Sequence, residues 1–268
     1  MRRRSSYSYH QIFEHREGMP SSLLEDSGYD SSTDDENVEE EESPRRNVIH
    51  GYHMVRGKLG HGMEDYVVAE NRKINGHELG LYAMPSLLYS WFIRTFGQEK
   101  FLSSIKRIKR TYKVTDNEIL DRIVGSRGES TAATAILVDK EKLIVAIVGD
   151  SRAILCRNGE ATQISVDHDP QKEKEHVESK GGFARAFGDG RIKENITSEP
   201  DIMTEHSDED TEFITLRSDG LWKVMSNQEA YDCNTDLEDA EEAAKKLIEE
   251  ALNRGSMDDI SCMVVAFL

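Results

Sequence analysis

Residues 143–148 read Leu-Ile-Val-Ala-Ile-Val, six apolar side chains with no polar residue between them. A strand with one wet face alternates apolar and polar positions, so an unbroken run of this kind belongs to a strand buried on both faces. The run is far shorter than the ~20 residues that span a bilayer. Residues 66–68, 79–82, 134–138, 153–156, 213–216 and 260–267 are further short apolar runs bounded by turn residues. Asp139-Lys140-Glu141-Lys142, between two of these runs, predicts a hairpin turn. Helical spacing falls between the strands. Leu237, Ala240, Ala244, Leu247, Ile248, Ala251 and Leu252 recur at i, i+3 and i+4, with Asp236 to cap the start and Gly255 to mark the stop. Residues 87–107 and 116–124 are two more helical stretches. Covered sheets with helices outside them predict an α+β sandwich of one domain, residues 49–268.

Residues 1–48 are of a different kind. Between positions 25 and 42 there are ten acids and no base, interspersed with Ser, Gly and Asn. Such a stretch repels itself and offers too little apolar surface to offset an ordering cost of about 1–2 kcal/mol per residue, so a disordered acidic tail is expected. The plain reading of this stretch is a solubilising tail; a sharper one is that an acid-directed kinase would find acceptors in Ser31, Ser32 and Thr33, just before Asp34-Asp35-Glu36. The whole chain of 268 residues carries 34 basic and 51 acidic side chains, a net charge of −17. That charge repels nucleic-acid backbones and anionic membranes and leaves a protein as the expected partner, a phosphoprotein or a kinase among the candidates. Arg2-Arg3-Arg4 is followed by no hydrophobic segment of the kind a secretory signal needs. Cys156, Cys233 and Cys262 lie too far apart to suggest a zinc site or a disulfide framework. A reducing compartment, cytoplasmic or nuclear, is expected.

Four places set carboxylates at strand mouths. Glu64-Asp65 precedes the run 66–68, Asp150 follows the run 143–148, Asp219 follows 213–216, and Asp258-Asp259 leads into 260–267. Carboxylates without His or Cys partners suit hard cations such as Mg²⁺ or Mn²⁺ rather than zinc. Two such ions about 3.5–4 Å apart activate a water for attack on phosphorus. Taken singly, each acid reads first as an ordinary turn residue, since turns select Asp for backbone reasons.

The order and surroundings of these acids resemble a known family. Met63-Glu64-Asp65, Gly128-Glu129-Ser130-Thr131-Ala132, Val148-Gly149-Asp150-Ser151-Arg152, Ala184-Arg185-Ala186-Phe187-Gly188-Asp189, Ser198-Glu199-Pro200, Ser218-Asp219-Gly220-Leu221-Trp222 and Asp258-Asp259-Ile260-Ser261 are similar to the motifs of protein phosphatase 2C, in that family's order. The resemblance spans residues 50–267. His50-Gly51-Tyr52-His53 and Lys223-Val224-Met225-Ser226-Asn227 resemble a plant subgroup. The resemblance implies a metal-dependent serine/threonine phosphatase on two packed antiparallel sheets flanked by helices. It assigns Glu64 to one metal, in part through water, Asp65 to metal-bound water, and Asp219 and Asp258 to the other metal. Asp150 matches an optional third site, where the family's usual acid after Trp222 is Lys223 here.

Two departures bear on activity. The family carries an Asp-Gly-His motif after the strand matching residues 79–83; its aspartate bridges both metals and its histidine is a proton donor to the leaving group. This chain reads Leu81-Tyr82-Ala83-Met84-Pro85-Ser86-Leu87, with no acid and no histidine. Two dications without a bridging anion repel each other by several kcal/mol or more in a partly dry pocket, on the order expected from Coulomb's law. The second departure follows Gly181-Gly182-Phe183, where a loop and a strand of the family are missing, which is expected to open a sheet. The family's phosphate-binding arginine corresponds to Gly60, with Lys58 and His61 the nearby basic residues. Three readings follow: a pseudophosphatase that works by binding, with weak or no Mg²⁺ or Mn²⁺; a residual metal-dependent phosphatase; and a chain too shortened to fold.

Overall fold

The computed structural model describes residues 46–58, 65–74, 76–85, 105–122, 129–167, 184–185, 187–188, 196–236 and 238–268. The acidic tail, Glu64, Gly60, most of the helical stretch 87–107 and the segment before Ala184 lie outside them.

Two five-stranded antiparallel sheets carry the fold. The first has the order β1 (Val48–Val55), β14 (Ile260–Phe267), β13 (Thr211–Arg217), β7 (Arg152–Arg157), β8 (Glu160–Gln163). The second runs β12 (Asp201–His206), β6 (Lys142–Val148), β5 (Ala132–Val138), β3 (His77–Pro85), β2 (Val68–Ile74). Two short pairs form sheets of their own: β4 (Glu129–Ser130) antiparallel to β10 (Phe187–Gly188), and β9 (Ala184–Arg185) parallel to β11 (Ile196–Thr197).

The unbroken apolar strands are explained by three separate cores. One face of β5 and β6, with Ala133, Ala135, Leu137, Leu143, Val145 and Ile147, meets Leu155, Ile214, Leu216, Met263 and Val265 of the first sheet. The opposite face of the second sheet, with Ile136, Ile144, Ala146 and Val148, is covered by α1 (Ile105–Arg122) through Ile108 and Tyr112. The opposite face of the first sheet, with Ile154, Phe213, Cys262, Val264 and Ala266, is covered by α2 (Asp219–Trp222), α3 (Asn227–Asp232) and α4 (Ala240–Asn253). Successive side chains of a strand point to opposite faces, so each central strand feeds two cores.

Polar anchors fix the helices. The Tyr112 hydroxyl is fully buried, lies 2.8 Å from Thr134 Oγ1 and donates to the Ala146 carbonyl at 2.9 Å. Asp239 caps α4, its Oδ1 accepting from the N–H groups of Glu241 and Glu242 at 2.9 Å each. The cap is thus Asp239 rather than the expected Asp236, because the helix starts three residues later than the apolar spacing from Leu237 suggests. The helix α1 starts at Ile105 and runs through residue 116 without a break, where two stretches were expected.

The hairpin at residues 139–142 forms as expected, with Asp139 and Lys140 both at positive φ (51° and 62°). The apolar run 66–68 enters its sheet only at Val68, and the strand continues through polar residues to Ile74. Strands β1 and β12, rich in His, Met and charged residues, carry no apolar run and were not anticipated. Folded structure is already present at Arg46, whose guanidinium donates to the carbonyls of Asp208, Glu209 and Thr211, and Asn47 exchanges backbone hydrogen bonds with Leu268. Among the described residues no helix is long and apolar enough to cross a membrane.

Candidate active site

Strand register gathers the expected acids at one end of each sheet. In the second sheet, Pro85 pairs with Ala132 and Ala132 with Val148, so the end of β3 lies in the same row as the strand that delivers Asp150. Val68 pairs with Ala83 on the other side of β3, which brings the lead-in residues Asp65 to Val67 to that end too. In the first sheet, Arg217 pairs with Arg152 and with Cys262, so Asp219 leaves β13 beside the start of β14, just after Asp258 and Asp259.

Close backbone packing holds the first-sheet acids. A Cβ on Gly220 would stand 2.4 Å from the Asp259 carbonyl oxygen, so only glycine lets α2 approach the entry to β14. Ser256 Oγ donates to the Gly220 carbonyl at 2.7 Å, and Ser218 Oγ accepts from the Ser261 N–H at 2.9 Å. Asp150 sits beyond Gly149, whose φ of 97° is one L side chains rarely adopt. The Asp150 carbonyl accepts from the Trp222 indole N–H at 2.8 Å, and the Arg152 guanidinium stacks 4.3 Å from the centre of the Trp222 ring.

The carboxylates sense one another. Burial pushes the Asp150 carboxyl up to about 6, with the Asp219 charge the next largest cause and Asp258 adding. Asp65 is raised as well, first by burial; a hydrogen bond from Ser261 Oγ opposes this, and the charges of Asp259, Asp219 and Asp258 add to it. The cation inside this group is Lys223. Its Nζ lies 2.5 Å from Asp219 Oδ2, one helical turn back, and 3.9 Å from Asp258 Oδ2. Burial works against the Lys223 ammonium, but the Asp219 hydrogen bond and the charges of Asp219, Asp258 and Asp150 outweigh it and raise its pKa.

Asp65, Asp150, Asp219 and Asp258 therefore converge, while Glu64 lies outside the described residues. Asp259 plays a different part. It is nearly buried, and its Oδ1 accepts the Gly57 N–H at 2.6 Å, which ties the exit of β1 to the entry of β14. Sequence reasoning did not assign Ser261, the partner of Asp65, although it sits in a quoted motif. It noted Lys223 as a replaced acid without foreseeing that the ammonium would sit on Asp219.

The donor set is a partial fit for hard cations. Oxygen ligands of the right kind are present in Asp219 and Asp258, but among the described residues no three acid, histidine or cysteine side chains are gathered closely enough to hold one ion. The end of β3 contributes Met84, which is buried between the sheets, and Pro85.

Two facing antiparallel sheets with outer helices, and acids converging at one end of the sandwich, define an acid-mouthed α+β sandwich. Residues 38–260 match the family described as Protein phosphatase 2C, and the chain belongs to that family. "Probable protein phosphatase 2C 28" of Arabidopsis thaliana is 49% identical over 253 residues, covering 84% of this chain and 75% of its own length. "Probable protein phosphatase 2C 62" of Oryza sativa subsp. japonica is 48% identical over 255 residues, covering 83% of this chain and 88% of its own length. Among solved structures, the serine-threonine phosphatase 2C from Toxoplasma gondii superposes with a TM-score of 0.63 at 18% identity, over 82% of this chain and 94% of that one. A C. elegans sex determining protein gives a TM-score of 0.68 at 20% identity, over 82% of this chain and 64% of that one. These two likenesses are of fold. The high-identity relatives are plant proteins, and the family generally uses Mg²⁺ or Mn²⁺.

Proposed function

We propose that this chain is a pseudophosphatase of the protein phosphatase 2C family, a scaffold that binds a protein and does not turn over phosphoesters. The observation that carries the reading is the end of β3. It reaches the row of Val148 and the approach to Asp150, and the chain there reads Met84-Pro85-Ser86, with no carboxylate to lie between two metal ions. Without that charge, two dications at this end repel each other by several kcal/mol or more, as expected for close like charges in a partly dry site. The Lys223 ammonium supplies part of the positive charge that Asp219 and Asp258 would otherwise take from a metal. Asp65, with Glu64 before it in sequence, and Asp219 and Asp258 are the residues left to hold Mg²⁺ or Mn²⁺, weakly and with water filling the coordination shell. Asp150, with Lys223 in place of a second acid, does not build a third site.

The partner in this reading is a protein, a phosphoprotein or a kinase, met in the cytoplasm or nucleus. Nucleic acid and membrane are disfavoured by the net charge of −17. The acidic run at 25–42 precedes the domain, whose first strand starts at Val48, one residue before the expected boundary of 49.

A second reading, a weak Mg²⁺- or Mn²⁺-dependent serine/threonine phosphatase, is favoured by the convergence of Asp65, Asp150, Asp219 and Asp258 at one end. The full chain assayed with Mn²⁺ on a phosphothreonine peptide separates the two. The expected result is no turnover above the metal-only blank; metal-dependent turnover that Asp219→Ala abolishes establishes the second reading instead. Titration calorimetry is expected to show at most one weakly held Mn²⁺, and two tight ions per chain overturn the proposal.

A further inference from the structure

In this acidic protein, a run of positive charge outside the group Asp65, Asp150, Asp219 and Asp258 lies on α1. Its first eleven residues contain Lys106, Arg107, Lys109, Arg110 and Lys113 and no acid before Asp116. The buried side of the helix is Ile108, Thr111, Tyr112, Thr115 and Asp116, packed toward the second sheet. Lys109 is neutralised by Glu199 at 2.5 Å. Lys106, Arg110 and Lys113 are exposed and make no ion pair or hydrogen bond among the described residues. They stand at i, i+4 and i+7, one above the other on a single face. The rise of a helix puts the first and last about 10 Å apart along the axis.

Like charges in a row on one helix face repel one another, so helix stability is not what places them there. Their spacing matches an extended chain, in which residues three apart are also about 10 Å apart. We propose that this face of α1 docks an acidic or phosphorylated segment of a partner protein, bound as an extended strand with its anions over Lys106, Arg110 and Lys113. The stripe acts locally despite the overall negative charge, because at physiological salt charges beyond about 8 Å are largely screened. A long polyanion would run past the stripe onto acidic surface, which disfavours RNA. A lipid surface would need apolar side chains to insert, and between residues 106 and 113 the apolar side chains of α1, Ile108 and Tyr112, are spent on the sheet. The inference is independent of whether the acid-lined end turns over phosphate.

The test uses the full chain and a fluorescein-labelled peptide carrying three phosphoserines, read by anisotropy. Binding is expected to weaken at least tenfold, as a rough minimum, in the variant K106E/R110E/K113E, and to weaken further between about 0.05 M and about 0.3 M salt. A peptide with lysines at the same positions is expected not to bind. The melting temperature of the triple variant should match the parent; if that variant does not fold, R110E alone should give a smaller loss in the same direction. Equal binding by parent and variant overturns the proposal, as does no binding by the parent. Tighter binding to phosphatidylserine vesicles or single-stranded RNA than to the peptide overturns it too.

Discussion

The two sheets treat the same end of the sandwich differently. On the first sheet, the turns around Asp219 and Asp258 are built with care: a glycine where backbones touch, paired serines, a buried Asp259 bonded to Gly57. On the second sheet, β3 arrives at that end with Met84 and Pro85 and brings no acid, yet pairs with β2 from His77 to Ala83 and with β5 from Leu79 to Pro85. The contrast teaches that fold and chemistry are separately encoded here. Three cores made by alternating strand faces hold the sandwich, and none draws on the acids at the strand ends.

That separation makes its largest claim on stability. Ile147, 1% exposed between the sheets, is expected to cost about 2–5 kcal/mol when cut to alanine. Asp219→Asn, which removes a charge paired with a half-exposed Lys223, is expected to change stability by less than about 1 kcal/mol. Chemical denaturation of the two variants measures both. A site substitution as damaging as the core one would break the comparison, because the acid end would then be holding the fold.

The next effect in size has the opposite sign. Arg217 is fully buried under the helices of the first sheet; its Nη2 donates to Asn227 Oδ1 at 2.7 Å, while Nε and Nη1 find no partner among the described residues. Burial pushes the guanidinium down to about 10. A buried cation with open donors is costly, so Arg217→Met is expected to stabilise the protein by about 1–3 kcal/mol, seen as a higher denaturation midpoint. Asn227 retains Arg152, at 3.1 Å, in that variant. A loss of stability would show that this residue holds the first-sheet end together, and would sharpen the contrast in favour of that sheet.

How much of this was legible in the sequence follows from what each signal reports. Apolar runs report burial, so β5, β6, β7, β13 and β14 were read nearly to their ends. Strands β1 and β12 sit at sheet edges, where half-buried and exposed positions admit His, Met, Asp and Glu, and no run marks them. The helix cap at Asp239 was missed because Asp236 and Asp239 are both good caps and the choice depends on where α4 meets β1 and β14. At the acid end, motif order gave Asp65, Asp150, Asp219 and Asp258. The hydrogen bond from Ser261 to Asp65 and the seat of Lys223 were not legible, because they join segments far apart in the chain or depend on a turn's geometry. Arg217 had no sequence signal either: an arginine beside a serine and an aspartate reads as surface.

The smallest expected effect tests how the helices buttress the first sheet. Ser226 and Glu229 form a capping box at the start of α3: Ser226 Oγ accepts the Glu229 N–H at 3.2 Å, and Glu229 Oε2 accepts the Ser226 N–H at 2.9 Å. Glu229 Oε1 also accepts from Arg254 Nη1 at 2.7 Å, which links the start of α3 to the end of α4. The hydrogen bonds to Ser226, and after them the Arg254 guanidinium, hold the Glu229 carboxyl down at about 2, against an ordinary value of 4.5. A lowered folded-state pKa means that the unfolded chain takes up the proton first as pH falls, so the contribution is complete above 4.5 and is lost on the way down to about 2. Glu229→Gln cannot titrate. The melting temperature of the parent is therefore expected to exceed that of Glu229→Gln at neutral pH, with the gap closing as the pH is lowered through that window. A gap that stays constant to pH ~2 would mean that the carboxylate's charge contributes nothing and that the box acts through hydrogen bonds an amide makes equally well.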